Sequence, residues 1–466
     1  MALSRIWSAF IIVAIFAAGI RSLVSPDSKT IFNTMVVGKT GDTTHTKNID
    51  STALPVAVAA LLTTAKETKI GENKYVKTTD GKYITYKEQN ANGILSTCKD
   101  AVDISIGLIG IMALFMGFMS IAEKAGGISF LSRIIGPFFT KLFPEVPRGH
   151  PAFGHMMLNF SANLLGLDNA ATPFGIKTME SLQQLNPDKE RASNAQVMFL
   201  CLHASGLTLI PVSVIAIRAA NKATVPTDIF LPCMIATFAA TMAAMFIVSF
   251  KQKINIFQPV VLVWIGGLSA IIASLVWYLT TLNKEGLETF SGVFSNGFIL
   301  LIFLLIVLGA LYKKINVFDS FIEGAKGGFD TAIKIIPYLV GMLVAISMLR
   351  TSGVFDVIIN GMKNLFASMG FDTRFVDGLP TALVRPMSGS GARGMMIDTM
   401  KTYGADSFAG TLSSILQGSS DTTFYVVAVY FGAVGIKNTR YSIGAMLLAD
   451  LVGILTSIGL CYLFFG

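Results

Sequence analysis

Hydrophobic and polar positions along this chain fall into long apolar blocks separated by polar loops. The clearest blocks are residues 6–23, 104–122, 259–282, 297–311 and 441–465. Several reach the ~20 residues that cross a bilayer as helix. None alternates apolar and polar residues over about ten positions, as a membrane barrel strand does. The pattern predicts an all-α polytopic membrane protein. Two amphipathic stretches, 131–143 and 355–366, each follow a membrane helix and read as interfacial helices lying along the bilayer surface.

Residues 25–98 interrupt this pattern as a polar insert. The run KYVKTTDGKYITYKE at 74–88 predicts a hairpin, with Asp80-Gly81 suited to a type I′ turn. Residues 53–65 are apolar but too short to span, and predict a surface helix. Long loops escape the positive-inside bias, so the insert's lysines are compatible with an external location.

Three local correspondences recur in the same order in both halves of the chain. AEKAGGISFLSRI after Ile121 parallels LRTSGVFDVIING after Met348, pairing Gly127 with Gly353. LDNAATPFGIKTM at 167–179 parallels SGSGARGMMIDTM at 388–400, and LHASGLTLIPVSV at 202–214 parallels LQGSSDTTFYVVA at 416–428. Basic residues in short loops set orientation. Lys124, Arg133, Lys141, Arg148, Lys177, Lys189, Arg191, Lys251 and Lys253 mark a cytoplasmic side, and Lys313-Lys314 returns to it after one extra crossing. The second half then starts outside, so the halves are expected to be inverted repeats. The expected division is a first membrane helix (1–24), the external insert (25–98), a first domain (99–255), a linking helix (256–283) and a second domain (284–466). The N-terminus is expected inside and the C-terminus outside. Arg5 before an apolar run resembles a signal peptide, but without a convincing A-x-A site it reads as a retained helix.

Composition agrees with this picture. The chain is 53% hydrophobic and 14% charged, well below the ~25% charged of soluble domains. Its net charge of +8 reports basic loops rather than nucleic-acid binding. Cys98, Cys201, Cys233 and Cys461 are scattered without CxxC spacing, so no disulfide framework or metal site is expected.

Polar residues inside membrane segments are costly unless satisfied, so their clusters are the candidate sites. Four stand out, two per half. Asn163 is followed by LDNAATPFG at 167–175, where Asp168, Asn169, Thr172 and Pro173 interrupt an apolar helix and predict a re-entrant hairpin, although an ordinary loop would read the same way. RPMSGSGARG at 385–394 is its counterpart, where glycines and serines offer backbone NH groups in a tight turn. GSGARG also fits GxGxxG, but no strand precedes it and no βαβ unit surrounds it. HASGLTLIP at 203–211 and QGSSDTTFY at 417–425 predict broken helices at mid-membrane, with helix–helix glue by Ser and Thr the competing reading. Asp421 is the most expensive residue if ionised and buried, and Arg385 is its expected partner.

At these motifs the chain resembles a known family. ANLLGLDNAATPFGIKTME, LTLIPVSVIAIR and PTDI resemble spore maturation protein A. IIPYLVGMLVAIS, LVRPMSGSGARG, YGADSF and QGSSDTTFYVVAVYFGAVGIKN resemble spore maturation protein B. The resemblance implies two nucleoside-recognition, or gate, domains, a class also found in concentrative nucleoside transporters and ferrous-iron transport proteins. It implies shared functional positions at Asn163, Asn169, Thr172, Pro173, Arg385, Pro386, Ser388, Gln417, Ser419, Asp421, Thr422 and Thr423. Ser390, Arg393 and His203 stand where the family varies, which sets them outside this group.

The function expected is transport of a small polar or anionic solute, nucleoside-like among the candidates, by alternating access around paired hairpins. Asn163, Asn169, Thr172, Arg385, Ser388, Gln417, Ser419, Asp421, Thr422 and Thr423 would bind the solute, and Pro173 and Pro386 would break the helices. No cofactor is expected. The coupling ion would be sodium, held by backbone carbonyls and Asp421, or a proton, with Asp421 titrating. The alternative is a non-transporting envelope or spore-maturation assembly factor whose insert docks a partner. An enzyme is not expected, because the second half has no histidine and no HExxH or GxSxG occurs. The expected location is a bacterial inner membrane, and an apolar face on 257–311 is where a second copy would sit.

Overall fold

The computed structural model describes residues 2–24, 30–49, 58, 62, 67–70, 73–77, 83–91, 93–164 and 168–466. The described chain is nearly all helical apart from one small sheet. It divides into two compact units. One comprises residues 7–100 and 343–358, the other residues 1–6, 101–342 and 359–466.

In the first unit, α1 (Ala2–Val24) is followed by α2 (Ile31–Val37) and four strands. These are β1 (Lys39–Ile49), β2 (Glu67–Ile70), β3 (Asn73–Lys77) and β4 (Tyr83–Ala91), in the antiparallel order β1-β4-β3-β2. β3 and β4 are the hairpin expected at 74–88. The sheet is larger than expected because β1 (KTGDTTHTKNI) has almost no apolar residues, so no alternation announces it. Asp80-Gly81 and nearly all of 53–65 lie outside the described residues. Arg21 Nη1 donates to the Ser352 carbonyl at 2.7 Å, which ties α1 to the segment 343–358.

The second unit carries most of the helices. Their order is α3 (Ile94–Lys124), α4 (Gly127–Leu142), α5 (Pro151–Leu164), α6 (Asp168–Leu185), α7 (Asn194–Ser205), α8 (Val212–Ala220), α9 (Phe230–Gln252), α10 (Pro259–Thr281), α11 (Lys284–Tyr312) and α12 (Val317–Thr351). There follow α13 (Val354–Ser368), a 3₁₀ turn (Arg374–Gly378), α14 (Leu379–Val384), α15 (Gly389–Tyr403), α16 (Phe408–Gly418), α17 (Thr423–Val426) with one π-helical turn (Val427–Phe431), and α18 (Ser442–Phe465). Among the described residues seven helices (α1, α3, α9, α10, α11, α12 and α18) are long and apolar enough to cross a membrane. This is a multi-pass membrane protein.

Local signals explain the ends of these elements. Ser193, Ser388 and Ser407 each accept a backbone amide at a helix start, from Gln196, Gly391 and Gly410. The amphipathic helices α4 and α13 each follow a left-handed glycine, Gly126 (φ 81°) and Gly353 (φ 79°). Gly126, rather than the Gly127 that the sequence pairing sets against Gly353, adopts the left-handed conformation. The residue type alone cannot choose between adjacent glycines, whereas only one of them carries the positive φ. The core joins α4–α7, α9, the π turn and α18. An aromatic chain crosses it from Phe139 to Phe160 (centroids 4.5 Å), Phe199 (5.5 Å) and His203 (6.0 Å). On α10, Val263, Ile271 and Trp277 remain exposed.

Candidate functional site

The site lies in the second unit, where two interrupted helices cross. The first is α7, a break at 206–211, and α8. The second is α16, a break at 419–422, and α17 with its π turn. Gly206, with φ 61°, ends α7. The Asp421 amide donates to the Ala204 carbonyl at 2.8 Å, so the two breaks touch.

Each break is also bonded to the helical pair that precedes it. The Leu209 amide donates to the Leu164 carbonyl at 2.9 Å, at the end of α5. The Phe424 amide donates to the Pro386 carbonyl at 2.9 Å, in the turn between α14 and α15. Backbone groups freed by the breaks are thus satisfied by backbone groups freed in the turns, as burial requires.

The outer ends of the interrupted helices meet in the same reciprocal way. At one end Arg218, on α8, reaches the turn before α16. It bonds the Ala405 carbonyl at 3.0 Å and Asp406 Oδ1 at 3.4 Å, and Asp228 Oδ2 lies 3.1 Å away. The Thr224 amide and hydroxyl also donate to Asp406, at 2.9 and 2.7 Å. At the other end, residues after the π turn reach the segment before α7. Lys437 and Asn438 amides donate to the Glu190 carbonyl at 2.9 Å, and Ala192 returns a bond to Asn438 at 3.0 Å. Arg440 Nη1 adds a bond to Asn194 Oδ1 at 2.8 Å. The two interrupted helices therefore run antiparallel, with breaks at the crossing and ends clasped at opposite faces. α18 spans the same distance, from Tyr441 beside Arg440 to Tyr462 beside Phe408 (centroids 4.8 Å).

At the crossing the side chains form one polar cluster. His203 is buried, with its Nδ1 2.8 Å from Asn163 Nδ2 and 3.0 Å from Asn159 Oδ1. Its Nε2 lies 3.9 Å from Asp421 Oδ2, an ion-pair distance too long for a hydrogen bond. The Tyr430 ring stands edge-on to His203 with centroids 4.8 Å apart, and its hydroxyl is within reach of Thr172 and Asn159. Arg385 donates to the Ser420 carbonyl and to Thr422 Oγ1 (3.4 Å), the residues flanking Asp421. Thr423 Oγ1 donates to the buried carboxylate of Asp450 on α18 at 2.7 Å. Gln417 is 3% exposed, and its Oε1 has no hydrogen-bond partner among the described residues.

The structure thus gathers Asn163, Thr172, Arg385, Asp421, Thr422 and Thr423 around the crossing, with Gln417 close by at the end of α16. Ser388 is occupied as a helix cap, and Ser419 donates back to the Leu416 carbonyl at 3.0 Å. The backbone of Asn169 lies in the first turn of α6, and its side chain is outside the described residues. Pro386 sits in the turn between α14 and α15. Pro173, expected to break a helix, does not. It lies inside α6, five residues after the helix begins, where a missing donor costs one bond near the N-terminus without ending the helix.

Four contributors escaped the sequence reading. Asp450 carried a usable signal, being the one charged residue between 441 and 466. His203 lies in a chosen cluster but outside the family-shared group, and the structure brings it within ion-pair distance of the Asp421 carboxylate. Asn159 and Tyr430 had no signal, because only the fold brings them to His203.

The nucleoside-recognition (Gate) family profile matches residues 105–221 and 332–437. Spore maturation protein B of Bacillus subtilis (strain 168) is 49% identical over 161 residues, covering 34% of this chain and 89% of that protein. Spore maturation protein A of the same organism is 42% identical over 154 residues, covering 33% of this chain and 79% of that protein. The matched segments contain both breaks, Arg218 and Asp406 of one clasp and Glu190 and Lys437 of the other, whereas Thr224, Asp228, Asn438 and Arg440 lie outside them. The small sheet lies outside them.

Proposed function

This chain belongs to the nucleoside-recognition (Gate) family, akin to spore maturation proteins A and B, and we propose that it carries a small polar or anionic solute across a bacterial cytoplasmic membrane. The observation that supports this most is the crossing of two interrupted helices, where a buried amide oxygen (Gln417), an imidazole, a guanidinium and two carboxylates gather within an apolar fold. Such groups at membrane depth are tolerated where they face a ligand or an aqueous path. Nucleosides fit the donor and acceptor set, and so do small anions through Arg385.

In this reading the two halves are inverted repeats, α5–α6 and α14–α15 are re-entrant hairpins, and the solute is exposed alternately at the two clasped ends. The Glu190–Lys437 end faces the cytoplasm, with the N-terminus inside and the C-terminus outside. The protein acts as a carrier rather than an enzyme. The second reading, a non-transporting maturation factor, is favoured by the names of the relatives and by the sheet outside the family match.

The test is a thermal-unfolding screen in detergent with nucleosides, nucleobases, dicarboxylates, amino acids and phosphate, alongside Gln417→Met. A ligand at ~100 times its dissociation constant adds about 2.7 kcal/mol. A compound that stabilises the wild type and not Gln417→Met supports the carrier. If nothing stabilises the wild type, the maturation-factor reading replaces it.

A further inference from the structure

His203 is held in a way that fixes what its two nitrogens must do. Asn159 Nδ2 donates to the Ala171 carbonyl at 2.6 Å, so the atom it turns to His203 is its oxygen, 3.0 Å from Nδ1. An amide oxygen only accepts, so that bond needs a proton on Nδ1. Asn163 can turn its own amide oxygen to the same proton, since its two amide ends are interchangeable in shape. A neutral ring with its proton on Nδ1 leaves Nε2 bare, and Nε2 faces Asp421 Oδ2 at 3.9 Å. A lone pair opposed to a carboxylate is repulsive. A second proton on Nε2 turns the contact into an attraction between imidazolium and carboxylate.

Burial opposes that charge, and its position in the helix and beside Asp421 offsets part of the cost. His203 lies in the last turn of α7, where the helix dipole stabilises a cation. Among the described residues, the titratable groups facing it are Asp421 from the second break and Tyr430 from the π turn, with Cys201 on its own helix. Among the described side chains, the α5–α6 pair presents the amides of Asn159 and Asn163 and the hydroxyl of Thr172, and α9 presents Thr241 to the neighbouring Ser205. Arg385 and Asp450 stand behind Asp421, engaged with Ser420, Thr422 and Thr423. His203 is 4% exposed whereas Asp421 is 42% exposed, so the carboxylate gives the proton a way in and out.

We propose that His203 and Asp421 form a proton-binding site joining the two halves at the crossing, and that a proton is the coupling ion of the transport cycle. This deepens the carrier reading and rests on it for the word coupling. Loading places the proton on Nε2 and draws the second break onto α7. Release to water restores the bare nitrogen, and repulsion then favours parting of the breaks.

The test is ¹⁵N-histidine NMR of the full chain in micelles. The chain has 4 histidines, so the triple variant His45→Gln, His150→Gln, His155→Gln leaves His203 as the single signal and leaves the crossing intact. Both ring nitrogens should be protonated across part of the range between about pH 5 and 8. Adding Asp421→Asn should shift the Nε2 signal to that of an unprotonated nitrogen at the same pH, and Asp421→Glu should leave it protonated. A single proton on Nε2 with Nδ1 bare throughout that range would overturn the proposal, as would a spectrum that Asp421→Asn does not change. Should Asp421→Asn fail to fold, the triple variant alone decides between one proton and two. No solute enters this experiment, so its failure is separate from failure of the carrier reading.

Discussion

Arg218 and Asp406 are 188 positions apart in the chain and 3.4 Å apart in the fold. The guanidinium is fully buried and is shared between Asp406 and Asp228. This clasp differs in kind from the one at the opposite end, where backbone bonds dominate and the Glu190–Lys437 pair is exposed on both sides. One end of the interrupted helices is therefore held by buried charge, and the other by main chain.

Removing Arg218 strands two carboxylates. Arg218→Met is expected to destabilise the protein by about 3–5 kcal/mol. Asp406→Asn should cost less, because the buried Arg218 keeps Asp228 as its partner and the carboxylate removed is 44% exposed. Lys437→Ala should cost about 0–1 kcal/mol, as exposed pairs do. Unfolding in one detergent ranks the three variants, and equal losses at both ends would refute the asymmetry.

Asp228 makes one clasp sensitive to pH. Burial pushes its carboxyl up to about 6, with Arg218 opposing the shift. Between about pH 4 and 6 the folded protein then binds more proton at this group than the unfolded chain does. The stability this contributes is present below pH ~4 and lost as pH rises through ~6. Relative to Asp228→Asn, the wild type should lose about 3 kcal/mol over that window. Parallel stability–pH curves for the two proteins would contradict this.

Two helical glycines separate packing from propensity. A Cβ on Gly175 would lie 2.3 Å from the Tyr430 ring, whereas one on Gly154 meets nothing within 4 Å. Gly175→Ala should push Tyr430 off His203 and cost about 1–3 kcal/mol. Gly154→Ala should be neutral or slightly stabilising. Thermal unfolding of both, with Gly175→Ala repeated in a Tyr430→Leu background, checks that the ring is the cause.

The clasped ends should face opposite sides of the membrane. Cysteines placed at Thr224 and Lys437, both exposed, should react with an impermeant maleimide from opposite sides. Thr224→Cys is expected to label in intact cells and Lys437→Cys only after lysis. Labelling of both from one side would end the antiparallel arrangement.

Much of this protein was legible in its order of residues. Apolar blocks near ~20 residues announce membrane helices because backbone bonding in lipid leaves few alternatives to a helix. Hydroxyls and carboxylates within such blocks announce the breaks at 206–211 and 419–422, since a continuous helix in lipid has no use for them. Pro173 shows the limit of that logic, because a proline near a helix start costs too little to end it. What the sequence by itself determined was where the chain could not be a plain membrane helix. Tertiary structure alone decided which of those places meet. Asn159, His203 and Asp421, like Arg218 and Asp406, belong to segments whose periodicity reports only their own burial. Their chemistry comes from contacts across the crossing and its clasped ends, and local pattern carries no record of a partner so far along the chain.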